Sequence, residues 1–257
     1  MSITLASWNV NSVRVRMPQI ETWLESRPAD LLALQETKTP DPLFPAVDFH
    51  ARGFTSVYRG QAAYNGVAIL AREPLDRVED ELDPAFPDRR FLSAQTGSGF
   101  HLVNIYAPNG ESLESDKFRY KCAWYAALVE RLRGLLRIHP KLALVGDFNL
   151  APAGCDVYDP EAFEGSVLTD PRIRCYFAEL EALGLVDAYR YQHPDQTAFS
   201  WWDYRRGAAR RGEGLRIDLI LLSEALLPRL RQSGIAEEIR SHPRPSDHAP
   251  VWVELDP

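Results

Sequence analysis

An aspartate and a histidine, Asp247 and His248, stand side by side in PSDHAPVW, just ahead of VWVEL, an alternating run that reads as a strand. Two more groups able to hold a cation or a proton, Asp147 and Asn149, lie in GDFN directly after the apolar run LALV. The glycine frees the backbone at that point, and a turn relaxes the alternate-side geometry of a strand. Similar residues recur at other apolar runs: Asn9 after ITLASW, Glu36 after LLALQ, Tyr106 ending HLVNI and Asp218 within LRIDLI. Side chains at the mouths of separate strands can meet on one edge of a sheet, where a rigid scaffold holds them.

Singly, each has a plain structural explanation. Asn9 and the Gly-Asp of GDFN suit turns, Glu36 in QETK suits a solvated charge, and Asp218 suits a hydrogen-bonded, half-buried carboxylate. SDH equally suits an Asx-type turn before a strand. Together they share a chemistry. Carboxylates and amide oxygens with at most one imidazole and no thiolate are the donor set of a hard cation, Mg²⁺ with Mn²⁺ as a substitute. Mg²⁺ keeps several waters and takes phosphate oxygens as remaining ligands, so the matching substrate is a phosphate ester. Hydrolysis of a phosphodiester needs a nucleophilic water, charge stabilisation on the phosphoryl oxygens and help for the leaving alkoxide, and these groups can supply all three.

The elements that must position these residues run from end to end of the chain. Apolar and β-branched runs, ITLASWNV, DLLALQE, GVAILA, FHLVNIYAP, KLALVGDFN, LRIDLILL and PVWVEL, read as strands. Between some of them lie helical patterns. Phe118, Cys122, Tyr125, Val129, Leu132 and Leu136 make one apolar face, and Pro140 stops that helix. Val13 to Arg27 and Arg174 to Leu183 are further, weaker helices. Strands mixed with helices over the whole length predict an α/β fold of sheet layers covered by helices.

At 257 residues, with 45% hydrophobic and 25% charged residues, the chain reads as one soluble domain over 1–257 with ample material for a core. No apolar run reaches the roughly 18 residues of a membrane span, and MSITLASWNV lacks the basic-then-apolar pattern of a signal peptide. A cytoplasmic location follows as the expectation. Cys122, Cys155 and Cys175 are an odd, widely spaced set that fits neither a disulfide framework nor a zinc pattern. The net charge of −7 argues against a protein that simply coats nucleic acid. Locally the balance reverses: Arg205, Arg206, Arg210, Arg211 and Arg216 crowd a stretch opened by Trp201 and Trp202, a composition able to bind nucleic acid and equally that of a solvated loop.

The segments SWNVNSVR, LALQETK, IYAPNGE, LVGDFN, SWWDYR, GLRIDLIL and PSDHAPVW, in that order, resemble the exonuclease III family of apurinic/apyrimidinic endonucleases, within the endonuclease/exonuclease/phosphatase superfamily. The resemblance covers essentially the whole chain. It implies a four-layer α/β sandwich, two mainly antiparallel sheets face to face with helices outside, acting as a monomer on duplex DNA at abasic sites and 3′ ends. By the same resemblance, Glu36 is the principal Mg²⁺ ligand with Asn9 beside it, Asp247 is the second metal-side carboxylate, and His248 contacts the scissile phosphate. Asp147 is then general base or ligand to a second metal, the base being preferred because a carboxylate beside a cation stays ionised. Asn149 bonds a phosphorus oxygen, Tyr106 the phosphate or leaving group, and Asp218 orients His248. Asn149 and His248, with Asp147, also join the metal set. Asn11 and Lys38 support it, Asn109 is a phosphate ligand, Arg90 lies near the DNA backbone, and Trp201 and Leu215 line a pocket for an extruded abasic sugar. Trp202 is expected in the core.

The long acidic segment after GDFN, LAPAGCDVYDPEAFEGSVLTDPRIR, varies among such proteins; a bulky Phe163 or Glu164 there would hinder flipping of the sugar and favour 3′ trimming. Two other readings stay open: a phosphoesterase acting on a small phosphoester, and a catalytically silent DNA-binding module. SWWDYR and APNG oppose the first, and the complete ligand set opposes the second.

Overall fold

The computed structural model describes residues 2–257, except for the side chain of Arg206, so that member of the expected arginine patch lies outside the described residues. Each strongly apolar run forms a strand because it is buried on both faces, with alternate residues entering different cores. Leu5 of β1 (Ile3–Asn9) packs with Leu31 and Ala33 of β2 (Leu31–Gln35) and with Val67 and Ile69 of β4 (Val67–Ala71), while Ala6, Trp8, Leu32 and Leu34 face the other way. Likewise Leu102 of β7 (His101–Tyr106), Ala143 and Val145 of β8 (Leu142–Asp147) and Ile220 of β10 (Asp218–Ser223) enter that same central core. Val103, Ile105, Leu144 and Leu219 turn outward.

With β12 (Val251–Leu255), β11 (Leu230–Ile235) and β3 (Thr55–Arg59), the first sheet has the order β11-β12-β1-β2-β4-β3. With β5 (Leu75–Glu79), β6 (Phe91–Thr96) and β9 (Leu185–Asp187), the second runs β5-β6-β7-β8-β10-β9. Helices α1 (Val13–Ser26) and α2 (Ala46–Ala51) cover the first sheet, and α3 (Asp116–Ile138) with α4 (Pro171–Ala182) covers the second. The result is a four-layer sandwich in which every sheet pairing is antiparallel except β1–β2 and β7–β8. Two short helices, α5 (Ala188–Gln192) and α6 (Ala208–Arg211), lie in connections. No helix among the described residues is long and apolar enough to cross a membrane.

These two parallel pairs decide where the chemistry goes. A parallel partner ends on the same edge, so Asn9 comes level with Gln35, and Tyr106 with Asp147. An antiparallel partner begins on that edge, which puts Asp218 opposite Asp147 and the start of β12 beside the end of β1. Between the sheets, Gln35 Nε2 donates to Asn104 Oδ1 at 2.7 Å, and Asn104 Nδ2 donates to the carbonyls of Leu34 and Ala68. This buried polar link ties the two sheets together directly beneath the edge. Gly146 lets β7 and β8 close up there: a Cβ at this position, φ +143°, would lie 1.9 Å from the Ile105 carbonyl oxygen.

Two sequence expectations shift. Helix α4 starts at Pro171, earlier than the expected Arg174, because Asp170 caps it through the Arg172 N–H and proline suits the first turn. Arg216 does not belong to a DNA-facing patch. It is 1% exposed, with Nε 2.6 Å from Asp156 Oδ1 and a second nitrogen 2.7 Å from Asp187 Oδ2. Arg190 also meets Asp156 at 2.6 Å, so this buried cluster staples the long loop after β8 to the strand carrying Asp218. Asp156→Ala leaves Arg216 and Arg190 short of their shared partner. Urea denaturation should show a loss of about 3–5 kcal/mol; a loss under about 1 kcal/mol, the scale of a solvated pair, would count against the staple.

Candidate active site

At the shared edge, Asp147 is ringed by donors. Its Oδ1 accepts the Asn149 backbone N–H at 2.8 Å, and its Oδ2 accepts Asn9 Nδ2 at 2.9 Å with Asn149 Nδ2 at 3.4 Å. Asn9 Nδ2 also donates to Glu36 Oε1 at 2.8 Å, so one amide bridges carboxylates from opposite sheets. The Asn9 oxygen is spent on the Asn11 N–H at 3.0 Å, which leaves the nitrogen facing the two carboxylates. From Glu36 the network continues through Lys38 Nζ at 2.8 Å to Asn11 Oδ1 at 2.6 Å, and from Asn11 Nδ2 to Asp247 Oδ1 at 2.9 Å. Trp201 Nε1 donates to the other oxygen of Asp247 at 3.2 Å.

On the opposite side, His248 Nδ1 lies 2.8 Å from Asp218 Oδ2 and its Nε2 lies 3.8 Å from Asp147 Oδ2. Asn109 Nδ2 donates to Asn149 Oδ1 at 3.3 Å, and the Tyr106 hydroxyl is near enough to Glu36 to feel its charge. Arg90 borders the group with its guanidinium 4.5 Å from the Tyr106 ring centroid, and Leu215 exchanges backbone hydrogen bonds with Trp201. The expected metal and catalytic side chains are thus joined in one hydrogen-bonded network, with Arg90 and Asn109 lining a depression on one side and Trp201 and Leu215 lining a separate cavity on another. Phe163 joins Trp201, Leu215 and Tyr158 around a cavity of about 420 Å³, whereas Glu164 lines a neighbouring depression. Trp202 is 5% exposed and sits in the core as expected.

Charge is concentrated here in a partly buried setting, with Asp147, Asp218 and His248 buried and Glu36 and Asp247 half-buried. Burial raises the Asp147 carboxyl above its usual range, with Asp218 adding to the rise and His248 opposing it. Burial disfavours the His248 imidazolium, yet the charges of Asp218 and Asp147 and the Asp218 hydrogen bond outweigh that penalty and raise its pKa. Burial also works against the Asp247 carboxylate, but His248 together with the Asn11 and Trp201 hydrogen bonds holds it below the usual range. The Tyr106 hydroxyl is pushed well up by burial and by Glu36 and Asp147, so it stays protonated and can donate.

Ligand atoms of Glu36, Asp147 and His248 all lie within 4.8 Å of one another. Two carboxylates and one imidazole fit a hard divalent cation, and a cation would relieve the repulsion between carboxylates. Asp247 is not part of that three-residue cluster and joins it through Asn11 and Lys38. The local backbone is strained to achieve this. Asn11, Glu36, Lys38 and Asn149 have φ of 45°, 49°, 50° and 48°, a left-handed conformation uncommon outside glycine that concentrates at functional sites.

Two serines also shape the site and were not singled out in the sequence. Ser200 Oγ accepts the N–H groups of Ile217 and Asp218, both at 3.0 Å. Ser246 Oγ donates to the Asn9 carbonyl at 2.7 Å and accepts the His248 N–H at 3.2 Å. Their signal was present as the serine that opens SWWDYR and the serine before Asp247 in PSDHAPVW.

Residues 6–248 match the model of the Endonuclease/Exonuclease/phosphatase family. Exodeoxyribonuclease III of Haemophilus influenzae is 34% identical over 265 residues, covering 97% of this chain and 98% of that protein. The chain superimposes on a 3′ phosphatase, NExo, from Neisseria, solved with a product DNA hairpin, with a TM-score of 0.96 and 42% identity over 99% of each chain. It superimposes equally on an AP endonuclease from Archaeoglobus fulgidus, with a TM-score of 0.95 and 32% identity over 99% of this chain and 100% of that one. With its catalytic-type cluster formed by those same matched segments, the chain belongs to the endonuclease/exonuclease/phosphatase family, among the DNA repair nucleases of the exonuclease III and AP endonuclease type.

Proposed function

We propose that this protein is a Mg²⁺-dependent nuclease, with Mn²⁺ able to substitute, that hydrolyses duplex DNA 5′ to abasic sites and removes 3′-terminal nucleotides and 3′ blocking groups. It acts as a cytoplasmic monomer, with 1–257 as one domain. The observation that carries this reading is the placement of Asp147 between the Glu36–Asn9 pair and the His248–Asp218 pair, with Asn149 and Tyr106 alongside. Glu36 and Asp147 would hold the cation, whose chemistry when bound is Lewis-acid polarisation of a phosphoryl oxygen. Asp147 Oδ2 takes the proton of the attacking water, and Asn9 and Asn149 fix the orientation of that carboxylate. His248, kept as an imidazolium by its flanking aspartates, donates to a phosphoryl oxygen from Nε2 while Asp218 fixes its ring through Nδ1. Asn109 donates to the developing phosphorane. Asn149, whose Nδ2 is engaged by the Ala107 carbonyl at 2.9 Å and by Asp147, holds Asn109 through its Oδ1, and the protonated Tyr106 hydroxyl serves the phosphate or the leaving group.

The cavity lined by Trp201, Leu215, Tyr158 and Phe163 supports entry of a flipped sugar. An abasic nucleotide has no base to unstack, so its extrusion costs less than the few kcal/mol estimated for an intact one. A second reading, in which 3′ end processing dominates, is favoured by the ring of Phe163 in that cavity and by the 42% identity to the Neisseria 3′ phosphatase.

Time courses on matched abasic, recessed-3′ and 3′-phosphate duplexes, with a small phosphoester alongside, separate these readings. The expected outcome is DNA cleavage with Mg²⁺ or Mn²⁺ and none with EDTA, and turnover lowered at least about 10²-fold by Asp147→Asn and by His248→Ala. Chelator-resistant cleavage, or near-normal turnover in both variants, would overturn the assignment. For the cavity, Trp201→Ala should impair abasic incision more than 3′ nucleotide removal; equal losses would remove the flipping role.

A further inference from the structure

Lys121 stands on α3 beside the apolar stripe read from the sequence, and it is 0% exposed whereas its neighbour Cys122 is only half-buried. A lysine is almost never fully buried unless paired, and among the described residues no carboxylate lies within 4.0 Å of this ammonium. Its ammonium instead donates to three backbone carbonyls: Asn149 at 2.7 Å, Val167 at 2.9 Å and Asn109 at 3.0 Å. Three donated bonds use all three N–H groups of the protonated amine, the form that burial disfavours by lowering its pKa to about 7.

The three acceptors belong to three separate segments that border the cleft. Asn109 lies in the loop after β7, Asn149 follows β8, and Val167 lies in the long loop whose Phe163 reaches the cavity beside Trp201. Two of them own the side chains that face each other across 3.3 Å, Asn109 Nδ2 and Asn149 Oδ1. Asn149 is held left-handed at φ 48°, with its N–H clamped by Asp147 and its carbonyl by Lys121. One turn further along α3, the Tyr125 hydroxyl donates to the Phe148 carbonyl, so the helix grips consecutive peptide groups of this segment. The loop after β7 is laid against the lysine stem: a Cβ on Gly110, φ +100°, would lie 3.0 Å from Lys121 Cδ.

We propose that Lys121 is a positioning residue that sets the relative placement of Asn109 and Asn149 for the reaction in the cleft. This rests on the reading of that cleft as the nuclease site. Lys121 touches no reacting atom in this scheme and acts through the two asparagines. A misplacement of about 1 Å at a distance from the chemistry can cost on the order of 10²-fold in rate.

The test is steady-state kinetics on the cleaved duplex in the wild type, Lys121→Met, Lys121→Gln, Asn149→Ala and the double variants, each below its own melting temperature. The expected result is a kcat lower by about 10- to 100-fold in Lys121→Met with KM for DNA within about twofold. Lys121→Gln, which keeps two N–H donors, should lose less. In the Asn149→Ala background either change should add little further loss, because both substitutions remove the same placement. A kcat within about twofold of wild type, a full additional loss in that background, or failure of both Lys121 variants to fold would overturn the proposal in favour of a merely structural lysine. An inactive wild type would sink the reading of the cleft and this inference with it; an active wild type with unimpaired Lys121 variants would sink the inference alone.

Discussion

The structure turns on the confinement of like charges. Glu36 from one sheet and Asp147 from the other are drawn to a single amide, Asn9 Nδ2, with Asp218 and Asp247 on either side. Such a group of carboxylates in a partly water-free cleft is unfavourable unless cations or donors answer it. Lys38, the His248 ring and the amides of Asn9, Asn11 and Asn149 supply part of the answer. A divalent cation held by Glu36 and Asp147 would supply the remainder. Repulsion held in place by the fold thus becomes a binding site.

Holding it takes both sheets. The parallel pairs β1–β2 and β7–β8 deliver Asn9, Glu36, Tyr106 and Asp147 to one edge, and the antiparallel partners return Asp218 and His248 to it. The Gln35–Asn104 link fixes the separation of the sheets beneath the cleft. Isolated bridges from Val157 to Leu215, Leu215 to Trp201 and Trp201 to His248 then connect the long loop to the catalytic-type histidine. A shift of that loop is therefore a shift of the cavity wall and of the residues next to His248. The left-handed backbone at Glu36, Lys38 and Asn149 persists because hydrogen bonds on both sides over-determine it.

Much of this was legible in the sequence. Runs such as LALV and LILL, buried on both faces, announce central strands, and polar residues at their mouths announce a shared edge. The edge strands TSVYR, LDRVE and LRQSGI were not legible, because a half-exposed strand with mixed polarity looks like loop. Arg216 was misread, since composition shows a cluster of arginines and not which of them finds buried carboxylates. Lys121 was invisible for a related reason: a lysine in a helix is ordinarily solvated, and the three carbonyls that bury it come from distant segments. The turns at Glu36 and Lys38 carry no glycine to mark their left-handed backbone.

The most direct measurement is an anomalous difference map from crystals grown with Mn²⁺ and an uncleavable DNA duplex. The expected result is a peak about 2.1 Å from carboxylate oxygens of Glu36 and Asp147, with the phosphodiester against it. Manganese bound only elsewhere, with those two carboxylates uncoordinated at saturation, would contradict a cleft built from opposite sheets around one shared cation.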